Sequence, residues 1–228
     1  MREKKIIGGH NCYLYGEEES EIVLLQPVDD HDLSFLDAEI SIIKEHVQEP
    51  VLLVAFQVER WNHDLSPWET PAVFGTDGFG DGAGKTLQFV LDELIPLLGE
   101  DRQYILGGYS LAAFFSLWAA YQTDRFCGIA AASPSVWFPG WDSYIREHEI
   151  RSPIVYLSLG NKEAKTRNKT MAVVADRIQQ LYDRLKEDNG CASCTLEWNQ
   201  GNHFKEPDVR TAKGFAWVLA ECRKRKES

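Results

Sequence analysis

The segment Tyr104-Ile-Leu-Gly-Gly-Tyr-Ser-Leu-Ala112 changes character part-way along its length. Tyr104 to Gly107 reads as a short buried strand, and Leu111 to Tyr121 as an apolar, alanine-rich helix. Between them, Gly108 to Ala112 follows the pattern G-x-S-x-G with alanine in the last place. In that pattern a sharp strand-to-helix turn holds the serine in a strained backbone conformation and exposes its hydroxyl. Small neighbours are needed because the strand and helix backbones run very close, and alanine is the least costly departure from glycine. The helix N-terminus then points its partial positive charge at the reaction centre. A tight turn with a capping serine would use the same residues. The strand before Ser110 and the helix after it favour the reactive reading.

The same alternation continues on both sides. Glu21–Gln26 is a short apolar run closed by Pro27, and Leu33, Leu36, Ile40, Ile43 and Val47 fall on one helical face before Pro50. Val51–Val58 is a continuous apolar run, as in a strand buried on both faces. A long loop, Glu59–Lys85, leads to a helix over Thr86–Leu98. After the central segment come a strand at Cys127–Ala132, a short helix at Trp141–His148 and a strand at Ile154–Leu159. A long helix over residues 170–186, a strand at Thr195–Trp198 and a helix at Val209–Cys222 complete the chain. Alternating strands and helices require crossover connections, so the spacing predicts an α/β fold: one domain, residues 1–228, with a mostly parallel sheet and helices on both faces. Ligands in such sheets sit at the carboxyl ends of the strands, which selects the loops that matter.

Composition narrows the function classes. The 228 residues carry 24 basic and 35 acidic side chains, a net charge of −11, and 44% of them are hydrophobic. That apolar content can fill a sizeable core. The acidic balance excludes a nucleic-acid backbone or an anionic membrane surface as the expected partner. No apolar run reaches ~18 residues, and the start Met1-Arg-Glu-Lys-Lys-Ile-Ile-Gly8 has no apolar signal region, so a cytoplasmic chain is expected. The five cysteines then read as reduced thiols. Cys191-Ala-Ser-Cys194 has no further metal-ligand spacing nearby and reads as two loop thiols.

A nucleophilic serine needs a base and an orienting acid, in the chain order Ser, acid, His for this turn. Of six histidines only His203, in Asn199-Gln-Gly-Asn-His-Phe204, follows the helix of residues 170–186. Its loop can fold back over the turn at Ser110. The acid should follow an intervening strand, and Leu157-Ser-Leu-Gly-Asn-Lys-Glu163 offers Glu163; Asp208 is the reserve. Two backbone N–H groups must hold a developing oxyanion. One belongs to Leu111 and the other lies within Gln57–Trp61, with Val58 taken as the candidate. No metal or cofactor is called for by these groups. The loop aromatics Trp61, Trp68 and Trp137 are expected to wall a pocket for an aromatic or bulky small-molecule ester.

A competing reading comes from Gly78-Phe-Gly-Asp-Gly-Ala-Gly-Lys-Thr86, which approaches the phosphate-loop pattern G-x-x-x-x-G-K-[ST]. Its first glycine should be residue 79, which is Phe79, and no clear strand precedes it. A nucleotide-binding protein is therefore the alternative, with a non-catalytic binding module as a third reading.

The pieces Gly107–Ala112, Ser133-Pro-Ser-Val-Trp137, Ser158–Glu163 and Gly201-Asn-His-Phe204 together resemble the α/β-hydrolases of the esterase D and enterochelin-esterase-like group. Asn62–Trp68 resembles the loop after the third strand in some bacterial members, and the likeness runs from about residue 50 to the end. Ala112 and Asn202 stand where glycine is commoner in the group, and neither removes a reactive side chain. The resemblance implies an α/β-hydrolase fold and hydrolysis of carboxylic esters or thioesters through a Ser–His pair, usually with an acid. Some relatives cleave siderophore lactones.

Overall fold

The computed structural model describes residues 2–47 and 50–227. Its strands are β1 (Arg2–Ile7), β2 (His10–Gly16), β3 (Ile22–Val28), β4 (Leu52–Gln57), β5 (Gln103–Tyr109), β6 (Phe126–Ala132), β7 (Ile154–Gly160) and β8 (Ser193–Asn199). Its helices are α1 (Leu36–His46), α2 (Trp61–Asp64), α3 (Ala83–Phe89), α4 (Ile95–Leu98), α5 (Ser110–Gln122), α6 (Trp141–Glu147), α7 (Val174–Glu187) and α8 (Pro207–Glu227). The strands form one sheet in the order β1-β2-β4-β3-β5-β6-β7-β8. From β4 to β8 all neighbours are parallel, joined by helical crossovers; β2 pairs antiparallel with β4, and β1 with β2.

The apolar runs are long because both faces of the sheet are covered. In β4, Leu52, Val54 and Phe56 enter the core under α3 to α7, while Leu53 and Ala55 enter the core under α1 and α8. In β3, Val23 and Leu25 divide from Leu24 in the same way. The period of two along each strand thus sends alternate residues to opposite cores.

Three elements differ from the sequence-based expectation. The β1–β2 hairpin is additional. Its turn is Gly8-Gly9 with φ of 53° and 82°, the two-residue turn whose twist matches paired strands. The helix expected over Thr86–Leu98 starts at Ala83, and Val90–Leu94 widens to a π turn before Pro96. Proline lacks the N–H and crowds the carbonyl four residues back, so a wider turn accommodates it. Within the loop expected over Glu59–Lys85 lie α2 and a single bridge between Thr70 and Phe79.

Every residue expected to carry chemistry falls just beyond the carboxyl end of a strand. Trp61 follows β4, Ser110 follows β5, Trp137 follows β6, Glu163 follows β7 and His203 follows β8. Among the described residues no helix is long and apolar enough to cross a membrane.

Candidate active site

Ser110 is the first residue of α5 and has φ of 57°. A side-chain-bearing residue there costs of order 1–3 kcal/mol, so the surroundings must hold it. Gly107 lets that happen: a Cβ on it would lie 2.7 Å from the Ala130 carbonyl oxygen and 2.8 Å from the Phe215 ring. Gly108 plays the complementary part. A Cβ there would lie 2.8 Å from Ala112 Cβ, so alanine fits the last place of the motif because residue 108 has no side chain.

His203 reaches back over the turn. Its Nε2 lies 3.0 Å from Ser110 Oγ and its Nδ1 lies 2.8 Å from Glu163 Oε2. Glu163 is buried, with its side chain only 4% exposed. Its other oxygen, Oε1, accepts from the Gly160 N–H at 2.7 Å, from Ser133 Oγ at 2.8 Å and from Arg210 Nη1 at 2.9 Å. Burial pushes the Glu163 carboxyl up, but the bonds and charge of His203 and the donors at Gly160 and Ser133 outweigh it, leaving the group below the usual carboxylate value. Tyr109 donates to the His203 carbonyl at 2.6 Å, and burial with the nearby Glu163 charge pushes its phenol up to about 12. It therefore stays a donor at neutral pH.

No family model and no curated protein matches this chain. Solved structures do. An IroE-like serine hydrolase from Shewanella oneidensis is similar with a TM-score of 0.79 at 16% identity, over 97% of this chain and 81% of that one. The siderophore hydrolase EstA from Aspergillus nidulans gives 0.70 at 16% identity, over 94% and 90%. The enterobactin esterase FES from Shigella flexneri gives 0.64 at 16% identity, over 99% of this chain and 60% of that one. This is the α/β-hydrolase fold.

The cavity beside Ser110 has a volume of about 510 Å³. Trp61, Phe74, Phe79, Leu111, Trp137 and Phe204 wall it. Phe79 stands edge-on to both Phe74 and Trp137. Asn168, in the loop after β7, donates to the Val73 carbonyl and ties down the loop that carries Phe74. A second cavity, about 520 Å³, also reaches Trp61, Ser110 and His203, and carries Asp29, Asp32 and Asp208. Burial, reinforced by Asp29, pushes Asp32 up to about 6.

Two expected site residues are placed differently. The Val58 N–H donates to the Val28 carbonyl at 2.9 Å, continuing the β3–β4 pairing, so it is not available to an oxyanion. Trp68 turns away from Ser110: its Nε1 donates to the Pro139 carbonyl at 2.8 Å and its ring packs on Phe138 and Tyr144. It anchors the loop to the segment before α6 instead of walling the cavity.

The glycine-rich segment also has a local explanation. A Cβ on Gly80 would lie 2.2 Å from His63 Cδ2, and one on Gly82 would lie 2.7 Å from His63 Nδ1. The glycines make room for the His63 ring, which is bonded to Asp64 at 2.9 Å. The segment follows the Thr70–Phe79 bridge, not a strand of the sheet, and Lys85 is exposed.

Sequence reasoning passed over Tyr109, Ser133 and Arg210. Ser133 has φ of 46° and lies in the stretch Ser133-Pro-Ser-Val-Trp137, so the resemblance held a signal for it. Arg210 is one of many charged residues in a helix pattern. Nothing local marks it as buried.

Proposed function

We propose that this protein is a serine hydrolase that cleaves a carboxylic ester or thioester through an acyl-enzyme. The observation that carries the reading is the hydrogen-bonded chain from Ser110 Oγ to His203 Nε2 at 3.0 Å and from His203 Nδ1 to Glu163 at 2.8 Å. Distances of this kind let a base take a hydroxyl proton directly. Ser110 attacks the acyl carbon as His203 accepts its proton. Glu163 holds the Nδ1 proton, sets the tautomer and stabilises the imidazolium that develops. His203 then protonates the leaving alcohol or thiol, and water repeats the sequence on the acyl-enzyme.

The Leu111 N–H, at the start of α5, supplies one oxyanion donor. Val58 and Arg60 already donate, to the Val28 carbonyl and the Asp64 carboxylate. Trp61, which opens α2 and lines the cavity at Ser110, is our candidate for the second donor. The aromatic walls favour an aromatic or bulky group on one side of the ester. One similar structure is named a siderophore hydrolase and another an enterobactin esterase, so a siderophore ester is the first class to test. All five cysteines are free thiols, which accords with a cytoplasmic setting.

A fluorophosphonate probe tests the reading. One covalent adduct is expected on Ser110, and Ser110→Ala should abolish both labelling and ester turnover with the fold retained. Labelling or turnover that persists in Ser110→Ala refutes the assignment.

A further inference from the structure

Arg210 stands in the first turn of α8, and its side chain is 2% exposed. It spends its whole fork inside the site. Nη1 lies 2.9 Å from Glu163 Oε1, 3.1 Å from the Tyr109 hydroxyl and 3.2 Å from Ser133 Oγ. Nη2 donates to the carbonyls of Gln200 at 3.2 Å and Asn202 at 3.1 Å. Both carbonyls belong to the loop that carries His203. Tyr109, itself held by Arg210, ties down the His203 carbonyl as well.

We infer that Arg210 is a positioning residue that clamps the His203 loop and offsets the charge of Glu163 as His203 meets it. The inference rests on reading Ser110, His203 and Glu163 as the hydrolytic set. Two features support it. The guanidinium divides its donors between the acid and the loop of the base, so one buried side chain fixes their separation. The carboxylate divides too: Oε1 faces Arg210 and Oε2 faces His203. With Arg210 in place, its guanidinium lies against the carboxylate oxygen that does not face His203 and offsets part of the Glu163 charge.

The other charged and titratable groups around His203 are known. Asp29, His31 and Asp32 follow β3, Glu206 and Asp208 flank the start of α8, and Tyr109 packs its ring on the imidazole. Arg210 is the cation placed on the Glu163 side of the site.

Lysine at 210 keeps the charge and loses the fork; methionine loses both. Arg210→Met should lower kcat about 100-fold, because a small displacement of the base is that costly. It should also move the acid limb of kcat/KM up by about one pH unit, since the Glu163–His203 pair then holds its proton to higher pH. Arg210→Lys should lower kcat about tenfold with the limb unmoved, and Tyr109→Phe should lower it a few-fold, again with no shift.

The titration of the His203 ring followed by NMR gives a readout without turnover. It should move up with the kinetic limb in Arg210→Met and stay in place in Arg210→Lys. If no ester is cleaved and Ser110 takes no fluorophosphonate, the hydrolase reading fails, yet the ring titration still judges Arg210. Wild-type kcat in Arg210→Lys, or an unmoved titration in Arg210→Met, overturns the inference. Should the methionine variant not fold, Arg210→Gln replaces it in both measurements.

Discussion

Exchanging Glu163 for glutamine tests the acid with almost no change of shape. The neighbours dictate which way the new amide sits. Oε1 accepts from Gly160, Ser133 and Arg210, so the amide oxygen must take that side. Turning it round would set an NH2 against those donors and leave buried groups unpaired, at about 1–3 kcal/mol each. The NH2 therefore faces His203 Nδ1, 2.8 Å away in the native chain. A donor there makes Nδ1 an acceptor and moves the ring proton to Nε2. That nitrogen, 3.0 Å from Ser110 Oγ, then donates where it must accept. The same tautomer reversal in a Ser-His-Asp enzyme lowers kcat by about 10⁴. For Glu163→Gln we expect a kcat loss of roughly 10³ to 10⁴, or about 4–5.5 kcal/mol of transition-state stabilisation. KM should change only a few-fold, because the charge matters mainly once imidazolium develops. Initial rates with one good chromogenic ester give both constants, and a thermal melt confirms that the variant is folded. Fluorophosphonate labelling should be slower but present. A kcat within tenfold of the native value would refute the reasoning and leave a Ser–His pair, or Asp208, to be tested in the same way.

Two further variants test the packing around the site. Gly107→Ala places a methyl 2.7 Å from both Ala130 Cβ and its carbonyl oxygen, so it should cost about 3 kcal/mol and lower Tm by roughly 6–12 °C; a Tm within 2 °C of native would contradict the close approach. Glu39 is buried beside Gln26, and burial pushes its carboxyl up to about 8. Between its unfolded value near 4.5 and that folded value the native state holds the extra proton, so this group lowers stability by about 1.4 kcal/mol per pH unit as pH rises. Glu39→Gln cannot titrate, and in urea unfolding it should gain about 3 kcal/mol relative to the native chain between pH 5.5 and pH 8. Parallel pH dependences for the two chains would show that Glu39 is not neutral when folded.

The amino-acid sequence alone determined what local pattern controls. Alternating apolar periods of two and about 3.6 specify strand and helix, and their alternation compels a parallel sheet with crossovers. The turn at Ser110 was legible for the same reason: the glycines, the serine and the flanking elements lie within a few residues of one another. Chain order then pointed to Glu163 and His203, and the structure brings their side chains into one hydrogen-bonded line. The hairpin at Gly8-Gly9 was missed, because the charged strand before it hides the pairing.

Other features depended on which strands lie side by side. The Val58 amide is consumed only because β3 and β4 are neighbours, and Trp68 finds the Pro139 carbonyl 71 residues further on. Arg210 is the extreme case. Its acceptors come from the ends of β5, β6, β7 and β8, up to 101 residues away, and they converge only once the sheet is assembled. A buried cation is tolerable solely when such acceptors surround it, and no stretch of sequence around residue 210 carries that information.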